Sequence, residues 1–295
     1  MFQSDVLKGE RILVTGGGTG LGRSMTEGFL KAGAHCTIWG RRGEVLEETA
    51  AELREQTGGE VDTKAVNIRD AEAIDAAVAE GFEKGGFTGL VNNAAGNFIS
   101  PTEALSANAF NSIASTVFHG TFNVTNAVGK RWIGGGKGGS ILSIVTTWVW
   151  TGSAFVVPSA MSKAGVAAMT QSLAVEWGPK GIRANAIAPG PFPTKGAWDR
   201  LMPKGAAEKV GDISGEESVP MRRVGKHEEL ANLAVFLMAP GAAYINGAVV
   251  PIDGGQYLNS AGTFAGLSAL EMSDWMAIRD TIQATNAADK AKRST

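Results

Sequence analysis

The chain has 295 residues, 44% of them hydrophobic, enough to bury one large core, and 27 Lys and Arg against 29 Asp and Glu leave a formal net charge of -2. That balance supplies no basic field for gripping nucleic acid, and no run of about 18 apolar residues suggests a membrane span, so a small-molecule ligand is expected. One cysteine, Cys36, excludes an intrachain disulfide, and the first ten residues lack the basic start and apolar run of a signal peptide; a cytoplasmic protein is expected.

Short apolar runs alternate with longer amphipathic stretches. Arg11 to Val14 precedes a helical pattern over Leu21 to Ala32, His35 to Trp39 precedes Gly43 to Gln56, and Asp62 to Val66 precedes Ala71 to Glu83. Further runs at Gly89 to Asn92, Ser140 to Val145, Ile182 to Ala188 and Ala248 to Ile252 each follow a helix-length segment. This alternation predicts an α/β fold: a Rossmann-type, doubly wound, seven-stranded parallel sheet with helices on both faces. No linker divides the chain, since the glycine-rich run Gly134 to Gly139 sits where a short loop belongs, so one dinucleotide-binding domain over 1–295 is expected. Ligands of such sheets lie beyond the carboxyl ends of the strands, which is where chemistry is to be sought.

Directly after the first strand comes Thr15-Gly16-Gly17-Gly18-Thr19-Gly20-Leu21-Gly22, opening into a helix. Glycines allow the tight turn and the close approach of backbone to a pyrophosphate, whose charge meets free N–H groups and the positive end of the helix. Gly16, Thr19, Gly20, Leu21 and Gly22 are therefore expected to hold a dinucleotide. The second strand ends Trp39-Gly40-Arg41-Arg42, with no Asp or Glu for ribose hydroxyls. The guanidinium groups of Arg41 and Arg42 suit a 2′-phosphate, which favours NADPH over NADH; the other reading is that they only solvate a helix start. Asn67 and Ile68 follow the third strand, where an adenine ring would lie. The turn from Asn92 to Phe98 lets small residues pass close to the cofactor and adds Asn93, Ala94 and Gly96 to the set, although taken alone it also reads as an Asx-type loop.

Together, Thr15-Gly16 with Gly20 and Gly22, Asn92 to Gly96, Lys163 four residues after Ser159, and Asn185 to Gly190 resemble the short-chain dehydrogenase/reductase family over nearly the whole chain. Asn93 to Thr102, Thr151 to Ser159 and Pro189 to Met202, with a tail beyond Asp253-Gly254-Gly255, are similar to its 2,4-dienoyl-CoA reductase branch. The resemblance implies hydride transfer from NADPH to a conjugated acyl-CoA thioester, then protonation nearer the thioester. It implies that Lys163 holds the nicotinamide ribose and that Pro189, Gly190 and Pro191 meet the carboxamide. Asn97 would bond the thioester oxygen, Phe98, Ser106 and Arg200 would line the acyl-CoA path, and Arg69 would add charge for the CoA phosphates. No metal is implied, and a homotetramer is, through the segments Glu228 to Met238 and Ala248 to Ile252.

The family's usual proton donor is a Tyr four residues before the Lys, its pKa lowered by the ammonium. Here that position is Ser159, and the place from which the dienoyl-CoA branch draws its Tyr holds Trp148; Thr146 replaces the Ser that binds the substrate oxygen. The two tyrosines, Tyr244 and Tyr257, lie far off in sequence, near the last strand. An indole N–H donates a hydrogen bond but releases no proton near neutral pH, so Trp148 orients a carbonyl without protonating a carbanion. Three replacements are open: Ser159 in relay with Lys163, His119 on the central helix (otherwise a core residue), or a water held by Thr146 and Lys163. Proton donation is thus expected to be impaired or rerouted. The competing readings are a carbonyl reductase or alcohol dehydrogenase and a catalytically silent NADPH-binding protein. The segment about 191–220 reads as a substrate loop, with Trp198 and Met202 packing on an acyl chain or on the core, or else as a plain surface excursion. A C-terminal extension occupies about 257–295, with a helical pattern around Ser273 to Thr285.

Overall fold

Alternation along the first strand sets the layers. Ile12 and Val14 are buried in one apolar cluster with Met25, Phe29 and Leu53, whereas Leu13 between them is buried in another with Val78, Val124 and Trp132. Strands buried on both faces belong to a parallel sheet clad in helices, and the computed structural model has that architecture. It describes residues 3–194, 216–261, 272–274, 276 and 278. Two compact units are distinguished, Met1–Tyr257 and Leu258–Thr295; in the second, the described residues of 272–278 are helical.

The first unit holds β1 (Arg11–Thr15), β2 (His35–Gly40), β3 (Val61–Ala65), β4 (Gly89–Asn92), β5 (Gly139–Ile144), β6 (Ile182–Pro189) and β7 (Val249–Ile252). All pair in parallel in the order β3-β2-β1-β4-β5-β6-β7, which is the Rossmann-type sheet expected from the sequence. β1 runs one residue past its apolar stretch because Thr15 stays in register with Trp39 of β2. The helices are α1 (Gly20–Lys31), α2 (Gly43–Thr57), α3 (Ala71–Glu83), α4 (Ala107–Ala114), α5 (Thr121–Gly134), α6 (Trp148–Thr151), α7 (Val157–Glu176), α8 (His227–Met238) and α9 (Gln256–Ala261), which runs past the end of the unit.

One departure from the expected pattern bears on the site. The helix between β4 and β5 is not regular: α4 passes through a π-helical segment, Ser115–Gly120, before α5 begins. A π turn takes up an extra residue and rotates the faces that follow it. Gly120 lets this turn press on the loop after β3, where a Cβ would stand 2.7 Å from the Ile68 carbonyl oxygen.

The sheet's switch point lies between β1 and β4, where chain direction around the sheet reverses and a crevice opens. Thr15 closes its floor. The Thr15 hydroxyl accepts from the Asn93 and Ala94 N–H groups at 3.0 and 3.1 Å and lies 3.3 Å from the Val91 carbonyl. Thr15→Ala leaves two N–H groups without that partner, so we expect a loss of about 1–3 kcal/mol in urea unfolding, largely restored by Thr15→Ser.

Candidate functional site

The site is built from loops that leave the carboxyl ends of β1, β2, β3, β4, β5 and β6. After β1 the chain turns through Gly16 at φ +67°, a left-handed conformation that glycine adopts freely. Gly22 lies so close to the turn that a Cβ there would stand 2.3 Å from the Gly16 carbonyl oxygen and 2.5 Å from Asn93 Nδ2. Thr19 is the N-cap of α1 but makes no side-chain capping bond, so the first N–H groups of Gly20, Leu21 and Gly22 face the turn without one. Glycine curvature, a free hydroxyl and an uncapped helix start together make a cradle for a phosphate. Asn93 supports this cradle from beneath: its Nδ2 donates to the carbonyls of Thr15 and Gly16 at 3.0 and 3.2 Å. Its Nδ2 therefore shapes the turn, and the Asn93 and Ala94 N–H groups are likewise held, by the Thr15 hydroxyl.

Arg41 and Arg42 follow β2, both exposed, with no side-chain hydrogen bond or ion pair among the described residues. They stand as two uncommitted cations one strand away from the glycine turn. Asn67 and Ile68 follow β3; Ile68 is buried, and Asn67 Oδ1 accepts from the Arg69 N–H at 3.3 Å. Arg69 is committed elsewhere, its guanidinium donating to Thr116 Oγ1 and the Ser112 carbonyl, both at 2.7 Å. Ser106 is likewise committed as the N-cap of α4, its hydroxyl accepting from the Ala109 N–H at 3.1 Å.

Beyond β4, Asn92 is buried, donating to Thr125 Oγ1 at 2.8 Å while its Oδ1 has no partner among the described residues. Asn97 Oδ1 accepts from the Phe98 N–H at 2.9 Å, which fixes the amide with Nδ2 as its remaining donor. Two residues on, the Ser100 N–H donates to the Phe155 carbonyl at 2.8 Å, joining this loop to the one that enters α7. Phe155 holds its place at φ +63° with its ring 60% exposed.

The catalytic candidates gather past β5. Ser159 and Lys163 share one face of α7, four residues apart, and both are buried. Lys163 Nζ donates to the Ile144 carbonyl at the end of β5. Burial, which disfavours the ammonium, draws its pKa down from 10.5 to about 8. Thr146 Oγ1 is buried with no partner among the described residues, and the Ser159 hydroxyl makes no hydrogen bond among them. A buried hydroxyl left unpaired is costly, and a substrate or cofactor oxygen would relieve it. Trp148 begins α6, which packs on α7.

His119 lies in the π segment, exposed and edge-on to Phe118 at 5.4 Å, so the central-helix candidate is a surface side chain there rather than a core residue. After β6, Pro189 ends the strand, the Gly190 N–H donates to the Ile252 carbonyl at 3.0 Å, and the Pro191 carbonyl accepts from Gly225 at 3.0 Å. Arg200, Trp198 and Met202 lie outside the described residues, as do most of the substrate loop and the tail. One contact escapes sequence reasoning altogether: Tyr257 stacks on Trp150 of α6. Only strand order brings those two together.

A family described as Enoyl-(Acyl carrier protein) reductase matches residues 16–256. A probable 2,4-dienoyl-CoA reductase of Caenorhabditis elegans is 41% identical, the match covering 99% of this chain and 95% of that protein. The crystal structure of a short chain dehydrogenase from Bacillus anthracis superposes with a TM-score of 0.75 at 42% identity, covering 84% of this chain and 96% of that one. A putative 2-deoxy-d-gluconate 3-dehydrogenase from Agrobacterium tumefaciens, with bound NADP, gives a TM-score of 0.77 at 30% identity, covering 87% and 100%. No helix among the described residues is long and apolar enough to cross a membrane.

Lys163 offers a direct check on the site's electrostatics. Below pH 8 the folded protein buries an ammonium that the unfolded chain solvates, at a cost on the order of 3 kcal/mol. Between about 8 and 10.5 the unfolded chain binds the extra proton, so that cost is relieved as pH rises. Ligand-free Lys163→Met should therefore melt above the parent protein at pH 7, with the gap closing towards pH 10 in thermal denaturation.

Proposed function

Because the chain belongs to the short-chain dehydrogenase/reductase family, as an oxidoreductase related to 2,4-dienoyl-CoA reductases, we propose that it reduces 2,4-dienoyl-CoA or related enoyl thioesters with NADPH, and that its proton delivery is rerouted. The observation that carries this reading is a polar site without a phenol at either expected position. Thr146 presents an unpaired buried hydroxyl in the segment that also leads to Lys163 and Ser159, and the resemblance to the dienoyl-CoA branch implies that Trp148 takes the place of its Tyr. Reducing a ketone requires an acid at the carbonyl oxygen, whereas a thioester enolate held by hydrogen bonds takes its proton at carbon from water. That asymmetry favours the thioester over the carbonyl-reductase reading.

When bound along the glycine turn, NADPH would supply the hydride. Gly16, Thr19, Gly20, Leu21 and Gly22 would receive its pyrophosphate, Arg41 and Arg42 its 2′-phosphate, and Asn67, Ile68, Asn93, Ala94 and Gly96 would border the adenosine and riboses. Lys163 Nζ, anchored on the Ile144 carbonyl, would offer its remaining N–H groups to the nicotinamide ribose, and Pro189, Gly190 and Pro191 would line the carboxamide. Asn97 Nδ2 and the Thr146 hydroxyl donate to the thioester oxygen, where negative charge grows during hydride transfer, and the Trp148 indole N–H supports that oxygen. Phe98 lines the acyl path, and Arg69, its guanidinium held by Thr116 and Ser112, contributes its charge to the CoA phosphates. A water held between Thr146 Oγ1 and Lys163 Nζ gives its proton to carbon, with Ser159 Oγ relaying replacement from Lys163. The chain works as a homotetramer whose contact surfaces on α8 and β7 include the exposed Phe236.

Two experiments test this reading. NADPH oxidation is followed with dienoyl-CoA, enoyl-CoA and simple ketones: the dienoyl thioester should turn over slowly and the ketones not at all. Trp148→Tyr should then raise dienoyl-CoA turnover by about tenfold or more, since a placed general acid contributes about 10²–10⁴-fold; a silent binding protein would gain nothing. For the cofactor, Arg41→Ala with Arg42→Ala should weaken NADPH binding by about tenfold to a hundredfold while leaving NADH affinity nearly unchanged, measured by nicotinamide fluorescence. Equal loss for both cofactors would mean the arginines only solvate the start of α2.

A further inference from the structure

The two tyrosines stand in different surroundings. Tyr244 is fully exposed, whereas Tyr257 is half-buried with its ring stacked on the Trp150 indole, centroids 4.9 Å apart and planes 29° apart. Trp150 belongs to α6, the four-residue helix that opens with Trp148 and follows Thr146. A helix this short holds itself weakly: it has no side-chain cap and no fully buried residue. Its placement depends on what its side chains pack against.

Tyr257 is itself firmly held. The buried Asp253 carboxylate accepts from the Tyr257 N–H at 2.8 Å through Oδ2 and from the Gly255 N–H at 3.0 Å through Oδ1. Asp253 backs onto Gly190, where a Cβ would stand 2.5 Å from the Asp253 Cβ. Contacts thus run without a break from the end of β6 through Asp253 and Tyr257 to Trp150 and α6. We propose that Tyr257 is a positioning residue: its ring, through Trp150, fixes α6 and thereby the aim of Trp148 and the Thr146 loop at the substrate. The inference rests on the reading of residues 146–163 as the active site.

Backbone amide exchange tests it independently of turnover. The Val149, Trp150 and Gly152 N–H groups donate to the carbonyls of Thr146, Thr147 and Trp148 at 3.2, 3.1 and 2.9 Å. In Tyr257→Leu, which keeps apolar bulk and loses the stack, these amides should exchange about tenfold faster, while in Tyr257→Phe they should keep their protection. With a dienoyl-CoA substrate, Tyr257→Leu should lose about tenfold in kcat with an unchanged NADPH Kd, and Tyr257→Phe should stay within about twofold. Unchanged exchange in Tyr257→Leu overturns the proposal, and so does a Phe variant as impaired as the Leu variant, because the hydroxyl would then be the acting group. Should Tyr257→Leu not fold, Trp150→Leu removes the same stack: faster exchange at Val149 and Gly152 then supports the proposal, and unchanged exchange overturns it. Failure of the parent protein to reduce any dienoyl-CoA would refute the thioester reading alone, since the exchange comparison still decides whether the stack holds α6.

Discussion

A single threonine hydroxyl at the end of β1 governs how the cofactor end of the molecule is put together. Parallel sheets open a crevice where the strand order reverses, and here the two lips are the loops after β1 and β4. Thr15 spans them by satisfying two backbone N–H groups of the β4 loop, and Asn93 answers by bonding the carbonyls of the β1 turn. The glycines then have a fixed floor to curve over. Without that mutual bracing, a turn this rich in glycine would have little reason to keep one shape.

The end that carries Lys163 and Thr146 follows a different logic. Its polar groups are buried before any ligand arrives: the Lys163 ammonium, the unpaired Thr146 hydroxyl, and the orphaned Oδ1 of Asn92. Such groups reduce the stability of the empty fold and are matched to a polar guest. The sheet and its apolar clusters supply the stability that makes this tolerable. Chemistry is thereby concentrated at strand ends, where loops are able to vary without disturbing the layers beneath.

Much of this was legible in the residues. Seven apolar runs separated by helix-length stretches foretold the sheet, since period and length alone fix that pattern, and the glycine turn, Arg41, Arg42 and the Ser159 to Lys163 spacing drew the outline of the site. What stayed hidden depends on hydrogen-bond partners distant in sequence. Nothing in the neighbourhood of Arg69 announces that it is engaged with Thr116 and Ser112, far along the chain. The π segment is equally silent, because inserting one residue into a helix leaves composition and hydrophobicity unchanged. Tyr257 looked remote from the catalytic loop for the same reason: sequence distance carries no information once β7 has been laid beside β6.

Phe155 carries a last implication. A phenylalanine held at φ +63° sits in a conformation that costs an L-residue roughly 1–2 kcal/mol, and its carbonyl is what receives the Ser100 N–H. The loop bearing Asn97 and the loop feeding α7 are therefore fastened at a strained link. Drift in either loop's length or sequence would have to be answered by the other. A glycine at 155, however comfortable for the backbone, would exchange that fixed pairing for slack between the two loops.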